Sequence, residues 1–471
     1  MGQVKIGVLP DNALLEIFDF YRADPTSEIF GRLSWKWKTL TQVCRRWRYL
    51  IFESPRRLDL RIVCTATTPS RTLLDIWPPF PISIFGTSSC VVDEKGIENI
   101  TTALGHRGRT SGIYLIDVKG SLLQKMAPMM NELHPILTDI YLLSTDESVP
   151  VLPETFLGGS APRLRSFILS GIPFPTLHNF ILSATQIIHL SLFDIPLSGY
   201  ISPEVMVTCL AALPNLEYLA IGFRFRSPIS RQIGLPPLTP AVLPSLTKLF
   251  FRGASEYLEE LLTRTHTPQL NRLNILFFKD LIFDLPRLRS LVIRGEGLRP
   301  HSLAWIIFDV HKINITLGSP PRIVLAILFE EWDRQLTSLA QVCNQNLPVL
   351  SFVEQLSICE PRRASLSWRG DMSSLQWLQL FLPFIAVRDL YVSEQLVPFA
   401  TAALKELTGE RSMEVLPALN RLFLERFQPS GFVQEAIEPF VSSRQLSGHP
   451  VAVHSEQPPP ELANHPHPPR N

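Results

Sequence analysis

A short apolar pattern recurs along the middle of this chain and restricts the folds that it can adopt. Two residues separate its first apolar position from the second, and one residue separates the second from the third. The first eight copies begin 18 to 30 residues apart and are Leu137/Ile140/Leu142, Leu164/Phe167/Leu169, Ile187/Leu190/Leu192, Leu216/Leu219/Ile221, Leu246/Leu249/Phe251, Leu270/Leu273/Ile275, Leu288/Leu291/Ile293 and Val310/Ile313/Ile315. Three later copies are Val353/Leu356/Ile358, Val387/Leu390/Val392 and Leu419/Leu422/Leu424. Apolar residues at alternate positions are typical of a strand with one buried face, so each copy predicts a strand.

The segments between the copies predict helices. Pro203 to Leu213 and Ala254 to Arg264 space their apolar residues as one face of a helix does, and Lys95 to Arg107 and Phe329 to Asn346 are similar. A strand and a helix in each period of about 20–29 residues resemble a leucine-rich repeat. The resemblance implies a mixed α/β fold, an irregular leucine-rich-repeat-like solenoid over residues 61–427, whose surface is expected to bind a protein partner.

The chain departs from the usual repeat at the turn that follows each strand. An Asn or Cys is expected three residues after the last core position, but those positions hold Ile172, Ile195, Arg224, Ala254, Phe278 and Glu296. The spacing between copies also varies, and it widens to 38 residues between Ile315 and Val353. An ordinary α/β domain with a parallel sheet is therefore an alternative prediction.

Proline is abundant, with 41 residues against 23 glycines. At Leu213-Pro214, Leu243-Pro244 and Leu285-Pro286 it precedes a copy of the pattern, where it can end a helix and begin a strand. From about Gln428 the pattern stops and prolines cluster toward the C-terminus, so residues 428–471 are predicted to be a Pro-rich disordered tail.

The first sixty residues carry two other apolar stripes. Leu14, Ile17, Phe18 and Tyr21 share one helical face, and Pro10 and Asp11 suit the start of that helix. A second stripe runs through Leu40, Val43, Cys44 and Trp47 and continues to Leu50 and Ile51. The polar segment between the stripes predicts a loop with a short helix.

This segment resembles the F-box, a three-helix module, over residues 5–60. The resemblance depends on Leu9-Pro10, Leu14, Ile17-Phe18 and the run from Val43 to Arg48, and the spacing is similar to that of F-box proteins of filamentous, notably basidiomycete, fungi. It implies docking onto the adaptor Skp1, which links an F-box protein to a cullin-RING ubiquitin ligase. The residues that match the motif, and that are therefore predicted to contact Skp1, are Leu9, Pro10, Leu14, Ile17, Val43, Cys44 and Trp47.

The predicted function is that of a substrate receptor in an SCF-type (Skp1–cullin–F-box) ubiquitin ligase, with the repeats binding the target protein. An F-box that no longer engages an adaptor would instead leave a repeat scaffold for protein interactions, and a hydrolase with an unrecognised site is a third interpretation. No P-loop, GxSxG or HExxH sequence occurs, so we expect neither an enzyme nor a bound cofactor.

Charge and cysteine content limit the expected partners further. Lys and Arg total 44 against 43 Asp and Glu, which argues against nucleic acid or an anionic membrane as a partner. Basic residues interleaved with tryptophan between Lys36 and Arg61 are interpreted as a solvated helix face. The six cysteines lack metal-binding spacing and predict a reducing compartment, cytoplasmic or nuclear. The uncharged stretch Ser166 to Phe193 contains prolines, so it predicts two buried strands around a short turn or helix.

Overall fold

The structure is a computed structural model of the chain, which forms two compact units, Met1–Ile187 and Ile188–Asn471. The structure describes residues 9–22, 36–54, 60–67, 69–87, 94–144, 151–225, 240–278, 282–298, 302–309, 311–328, 335–360, 373–426 and 432–455.

The first unit begins with three helices, α1 (Asp11–Arg22), α2 (Lys36–Val43) and α3 (Arg45–Phe52). The second predicted stripe is thus divided between α2 and α3. The break is at Cys44, whose backbone is extended (φ −159°, ψ 170°). Its Sγ accepts the N–H of Trp47 at 3.5 Å, so Cys44 is the N-cap of α3. The short helix predicted between the stripes falls on residues 23–35, outside the described residues, as does the side chain of Tyr21.

The rest of the first unit is a parallel sheet in chain order, β1-β2-β3-β4-β5. The strands are β1 (Leu60–Val63), β2 (Ile82–Thr87), β3 (Thr110–Ile116), β4 (Asp139–Leu143) and β5 (Ser166–Ser170). The helices that follow β1, β2, β3 and β5 are α4 (Ser70–Ile76), α5 (Glu94–Leu104), α6 (Gly120–Met126) and α7 (Leu177–Ser183). Parallel neighbours need such crossover connections, which explains why strands and other segments alternate.

The second unit contains a longer sheet that is mostly parallel. Its strands are β6 (His189–Ile195), β7 (Tyr218–Phe223), β8 (Ala241–Val242), β9 (Lys248–Gly253), β10 (Thr265–His266), β11 (Arg272–Phe277), β12 (Leu303–Phe308), β13 (Lys312–Leu317), β14 (Ile323–Leu328), β15 (Gln355–Cys359), β16 (Asp389–Val392), β17 (Arg421–Leu424) and β18 (Ala452–His454). Its helices are α8 (Pro203–Ala211), α9 (Ser255–Thr263), α10 (Pro286–Arg294), α11 (Gln335–Asn346), α12 (Ser374–Phe381), α13 (Val397–Lys405) and α14 (Phe432–Leu446). Within this unit the strand order is β6-β7-β9-β11-β14-β13-β12-β15-β16-β17-β18, while β8 and β10 pair separately.

The predicted apolar pattern forms the core. In nine of the eleven copies the second and third positions lie in a parallel strand of one unit or the other, with both side chains buried. Helix side chains pack onto this face of the strands: the Tyr257 ring of α9 lies 4.8 Å from Phe223 and 5.9 Å from Phe251 between centroids, and Trp377 of α12 lies 5.7 Å from Phe308. We call this the helix face and the opposite side the strand face. A mixed α/β, leucine-rich-repeat-like fold is therefore confirmed.

Main-chain hydrogen bonds serve the turns that lack asparagine. The N–H of Val118 donates to the carbonyl of Leu143 at 3.1 Å, and that of Glu425 donates to Val392 at 3.0 Å. Asp117 and Arg426 adopt the left-handed conformation beside these bonds, with φ of 58° and 55°. At two of the positions where asparagine is missing, the N–H groups of Arg224 and Phe278 likewise donate to the carbonyls of Ile195 and Gly253, at 3.0 and 3.2 Å. At these turns the main chain is bonded without a repeated side chain.

Two copies of the pattern depart from the prediction. Leu288/Leu291/Ile293 lies in α10, where Leu288 is buried and Ile293 is exposed, so the strand predicted there is wrong. Val310 lies outside the described residues, and the rest of its copy forms β13, which is antiparallel to both β12 and β14. The wide gap that follows contains β14 and α11, so the sequence of strands is locally reversed rather than interrupted.

The prolines before the pattern behave in two ways. Pro214 and Pro244 lie in turns closed by Leu216 and Leu246, whose N–H groups donate to the carbonyls of Leu213 and Leu243. The predicted helix-to-strand junction is confirmed at Pro214, between α8 and β7, but it is wrong at Pro244, because the short strand β8 and not a helix precedes that proline. The predicted helix-to-strand junction at Pro286 is wrong: this proline is the first residue of α10. Proline lacks the N–H that a first helical turn leaves unbonded, so it begins a helix as readily as it ends one.

The predicted tail boundary at residue 428 is also wrong. Residues 432–455 form α14 and β18, and β18 pairs in parallel with β17. Phe440 is fully buried, so this segment completes one more strand–helix unit. The remaining tail, residues 456–471, lies outside the described residues.

The uncharged stretch from Ser166 to Phe193 forms β5, α7 and the first part of β6, as predicted. Each of these elements contributes buried apolar side chains within its own unit. In the part of the chain that the structure describes, no helix is both long enough and apolar enough to cross a bilayer.

Candidate interaction surfaces

The seven residues predicted to contact an adaptor all lie in the three N-terminal helices or immediately beside them, and we call residues 9–22 and 36–54 the helical module. Their exposure differs widely. Pro10, Ile17, Val43 and Cys44 are exposed, Leu9 and Trp47 are half-buried, and Leu14 is buried. The structure therefore brings the predicted set into one module but divides it between a surface and an interior.

The interior of the helical module is apolar and aromatic. Leu14 and Phe18, one turn apart on α1, are both buried, and the Phe18 ring lies 4.7 Å from the Trp47 ring of α3. Leu50 and Ile51 of α3 are buried as well. Leu14 is thus a core residue of the module and cannot touch a partner while the module is folded.

An apolar stripe lies on the outside of α1. Pro10, Ala13, Ile17 and Phe20 follow the spacing i, i+3, i+7 and i+10, which places them on one side of the helix. Ile17 is 43% exposed and Phe20 is 85% exposed. This stripe lies beside the buried Leu14–Phe18 face, so α1 is apolar over more of its circumference than its neighbours cover.

The other two helices add exposed apolar residues. Val43 at the end of α2 is 56% exposed, and Tyr49 of α3 is 65% exposed. Phe20 and Tyr49 were not predicted as contact residues. A sequence signal for them exists, because each is a large apolar residue that lies outside the buried apolar face of its own helix.

Arg46 fixes the start of α1 against α3. Its Nη2 donates to the carbonyl oxygen of Leu9 at 2.6 Å, and Nη2 and Nε both donate to Asp11 Oδ1, at 2.6 and 3.0 Å. Arg48 makes a similar tie to α2 by donating to the Thr41 carbonyl at 3.0 Å. Arg46 thus sets the position of Leu9 relative to α3, and Arg48 ties α3 to α2; motif matching reveals neither role.

A ladder of aromatic rings covers part of the strand face in the first unit. Phe85, Tyr114 and Tyr141 occupy the same register position on β2, β3 and β4. The ring centroids are 4.4 Å apart in the first pair and 4.8 Å apart in the second, and both pairs are stacked. The guanidinium of Arg61 lies 5.5 Å from the Phe85 centroid. A sequence signal exists, since Ile-Tyr-Leu occurs in both β3 and β4.

Gly112 makes room for this ladder. A Cβ atom at Gly112 would lie 2.6 Å from Cε2 of Tyr114 and 3.1 Å from Oγ of Ser83. The absence of a side chain lets the Tyr114 ring lie flat along its strand. Burial and the nearby Asp139 raise the pKa of Tyr141, so its hydroxyl remains a proton donor at neutral pH.

The strand face of the second unit is closed over β12, β16 and β17. Leu303, Trp305, Tyr391 and Phe423 form a buried apolar cluster there, with Ile307 packed against it. This part of the face is therefore occupied by its own side chains and offers no open apolar surface.

The described residues contain no group of three or more His, Cys, Asp or Glu side chains that could hold a metal ion. Burial raises the pKa of the Cys209 and Cys359 thiols to about 12 and raises that of Cys343 as well. Buried thiols of this kind are protonated and inert as nucleophiles. Cys44 serves as the N-cap of α3, and Cys90 lies outside the described residues.

No protein-family model matches the chain, and no curated protein matches its sequence. One solved structure similar to it is the leucine-rich repeat-containing protein LegL7 from Legionella pneumophila, with 12% sequence identity. The match covers 83% of this chain and 98% of that chain, with a TM-score of 0.28. Backbones this different do not support a shared geometry, so the repeat-like fold is assigned from the strand order, the register and the burial above.

Proposed function

We propose that this chain is the substrate-receptor subunit of an SCF-type ubiquitin ligase. In this proposal the helical module is an F-box that docks a Skp1-like adaptor, and through it a cullin-RING ligase. The strand–helix repeats bind the target protein. The observation that carries the proposal is the apolar outer surface of the helical module.

That surface has the composition expected of a docking site. Ile17, Phe20, Val43 and Tyr49 are large and exposed within a module of only three short helices. Exposed large apolar side chains that cluster in a small segment mark interaction sites more often than solvated surface. Together with Pro10, they define the contact set that we propose for the adaptor.

The other predicted residues have supporting roles in this proposal. Leu14 and Trp47 form the interior on which α1 and α3 pack, and Cys44 begins α3 as its N-cap. Leu9 is held through its carbonyl by Arg46. These residues shape the docking surface rather than forming most of it.

The proposal assigns no catalytic step to this chain. Ubiquitin transfer is carried out by the recruited enzymes, and the receptor contributes proximity and orientation of the target. The proposed setting is the cytoplasm or nucleus, with protein partners and with neither nucleic acid nor membrane.

Capture by purified Skp1 tests the proposal. We expect wild-type protein to bind and the variant Ile17→Asp/Val43→Asp to lose binding at least about tenfold, because a buried carboxylate replaces an apolar contact. The matched control is Ile76→Asp/Val151→Asp, which makes the same chemical change at two exposed sites of the first unit outside the module. We expect the control to bind as wild type does.

A repeat scaffold without an adaptor is the second candidate. It is favoured by the inward packing of Leu14, Phe18 and Trp47, which gives the module a core of its own. Failure of the wild-type chain to bind Skp1 would remove the receptor proposal and leave the scaffold. Equal binding by the Ile17→Asp/Val43→Asp variant would show that the adaptor binds elsewhere.

A further inference from the structure

One row of side chains on the strand face of the second unit is basic and solvent-exposed. His189, Tyr218, Lys248 and Arg272 occupy the same register position on the adjacent strands β6, β7, β9 and β11. The next residue of each strand, such as Leu249 after Lys248, is buried on the helix face. Because side chains alternate along a strand, the row itself lies on the strand face.

The three basic side chains of this row are available to a partner. His189, Lys248 and Arg272 are exposed, and none of them forms an ion pair with a described carboxylate. Tyr218 is half-buried between His189 and Lys248, and its ring lies 6.1 Å from the His189 ring. We call these four residues the basic row.

Other cations of the same strand face have partners within the chain. Arg421 of β17 donates to Asp389 of β16 twice, at 2.6 Å each, and Arg252 of β9 lies 3.0 Å from Asp194 of β6. The lack of an ion pair is therefore a local property of the basic row, which lies at the first residues of β6, β7, β9 and β11. It is not a general feature of the sheet.

We infer that the basic row binds an extended acidic segment of a partner protein that runs across the strands. Neighbouring parallel strands are about 4.8 Å apart, so one carboxylate can contact both Lys248 and Arg272. Side chains on one side of an extended peptide repeat about every 7 Å, which lets a second residue reach Tyr218 or His189. Carboxylate and phosphate oxygens both suit this arrangement, and the shared chemistry is a regularly spaced anion.

A protein segment fits better than nucleic acid. The chain has 44 basic and 43 acidic residues, so it lacks the broad positive field that phosphate backbones require. Phe250 lies two residues beyond Lys248 on β9, on the same face, and its ring meets the ring of Phe193 of β6 edge to face, with the centroids 5.1 Å apart. The apolar rings of Phe193 and Phe250 beside the basic row suit a peptide with alternating acidic and apolar side chains.

This inference rests on the proposed use of the repeats as a protein-binding surface, and it is independent of adaptor docking. The test uses the full chain and a labelled peptide of alternating glutamate and alanine, with a phosphoserine–alanine peptide to separate the two anion sources. We expect the glutamate peptide to bind at least about tenfold more tightly than its glutamine counterpart. The substitution Lys248→Glu/Arg272→Glu should remove at least about tenfold of that affinity.

The matched control is Arg289→Glu/Lys405→Glu, which changes the net charge equally at exposed positions of α10 and α13. We expect it to alter the affinity by less than about twofold. Unchanged thermal melting of each variant verifies folding, and Lys248→Gln/Arg272→Gln replaces the first variant if the glutamates unfold it. Both double variants should still bind Skp1 as wild type does, which separates this inference from the receptor proposal.

Several results would overturn the inference. These are no binding of either anionic peptide by wild-type protein, equal binding of the glutamine peptide, or equal losses in the basic-row and control variants. Tighter binding of single-stranded oligothymidylate than of both peptides would identify nucleic acid as the partner instead. Stronger binding of the phosphoserine peptide than of the glutamate peptide would support the inference and name phosphate as the anion.

Discussion

The helical module and the strand–helix repeats treat apolar residues in opposite ways. In the repeats, the alternating pattern points each apolar triplet to the helix face, and positions such as Leu356 and Ile358 are fully buried. In the module, the apolar stripe of α1 is wider than the surface that α2 and α3 cover, so Ile17 and Phe20 remain exposed. A repeat buries its face against the next repeat, whereas three short helices have no further neighbour in the module.

The difference shows where a partner is needed. Surplus apolar surface on a small module is stabilised only when another surface covers it. In the described strands of the repeats, the apolar triplets that face the helices are buried, although single exposed apolar residues such as Ile293 occur on the repeat helices. The strand face of the repeats varies from aromatic to basic to closed. Binding through the module should therefore be apolar, and binding through the repeats should depend on polar and charged contacts.

The largest expected effect compares one buried with one exposed apolar residue. Leu356→Ala in β15 removes buried methylene groups and should lower the free energy of unfolding by about 3–4 kcal/mol. Ile17→Ala in α1 should change it by less than about 1 kcal/mol, since Ile17 is already 43% exposed. Urea unfolding monitored by circular dichroism measures both.

The comparison between the two regions would fail if the two alanine variants lost similar stability. A large loss at Ile17 would mean that its side chain is covered within the folded chain, and the proposed docking surface would be wrong. A negligible loss at Leu356 would mean that the apolar triplets do not form the core.

A somewhat smaller effect is expected at Arg444, which tests whether α14 belongs to the repeats. Arg444 is fully buried and donates to the carbonyls of Pro417 and Leu419 at 3.0 Å each, and burial lowers its pKa. Arg444→Ala leaves these carbonyls without their donor and should cost about 2–3 kcal/mol. Thermal melting and urea unfolding measure the loss.

The control for Arg444 is a surface arginine of the same region. Arg411 pairs with Glu414 at 3.1 Å, and both side chains are about half exposed. Arg411→Ala should cost less than about 0.5 kcal/mol. Equal effects of the two substitutions would mean that the segment 432–455 contributes little to the fold, as a tail would.

A loss of stability of about 2 kcal/mol between neutral pH and about pH 5 is expected from His134 in the first unit. Burial, and secondly the charge of Arg107, lower its pKa from 6.5 to about 4. Below pH 6.5 the unfolded chain binds a proton that the folded chain does not, so stability is complete above this pH and falls as the pH decreases toward 4. His134→Gln should remove this part of the pH dependence, and urea titrations of both proteins at several pH values measure the difference.

His178 of α7 provides the control, because it is less buried than His134 and its Nδ1 lies 3.3 Å from Oδ1 of the neighbouring Asn179. The change in the pH profile of unfolding should be larger for His134→Gln than for His178→Gln. An identical profile for wild type and His134→Gln would contradict the assignment of a buried neutral imidazole at His134.

The smallest expected effect concerns the paired charges of the strand face. Asp389 is buried and accepts both hydrogen bonds from the half-exposed Arg421, and this bonding raises the pKa of Arg421. A double-mutant cycle with Asp389→Asn and Arg421→Gln should give a coupling free energy of about 1 kcal/mol. Additive losses would mean that Asp389 and Arg421 do not stabilise each other in the folded chain.

Local patterns were enough to predict most strands, because alternation of apolar residues is a property of a few adjacent positions. They failed at Leu288, where Leu288, Leu291 and Val292 also suit a helix. The deciding contact is remote: Glu259 of α9 accepts the N–H groups of Arg287 and Leu288 at 2.9 and 2.8 Å and caps α10. Sequence spacing alone cannot show such a cap.

Strands that are buried on both faces were also missed. Leu303–Phe308 and Ile323–Leu328 read as continuous apolar runs, so they lack the alternation that identified the other strands. In the helical module, motif matching located the candidate residues but could not separate Leu14 from Ile17. Both lie in one apolar stripe, and which of them faces inward depends on how α2 and α3 pack against α1.

The reversed order of β12, β13 and β14 has a consequence for synthesis of the chain. From β6 to β11, each new strand of the main sheet pairs with a strand that the ribosome has already synthesised, because β7, β9 and β11 each pair with the preceding strand of that sheet. The partner of β11 on its other side is β14, which ends at Leu328, whereas β12 pairs with β13 and with the later β15. At about 5–20 residues per second, the edge of β11 stays unpaired for seconds while the ribosome makes the intervening segment. The nascent chain is therefore open to wrong pairing of this edge while the segment from Phe277 to Leu328 is made, so translation speed and chaperone access matter during that interval.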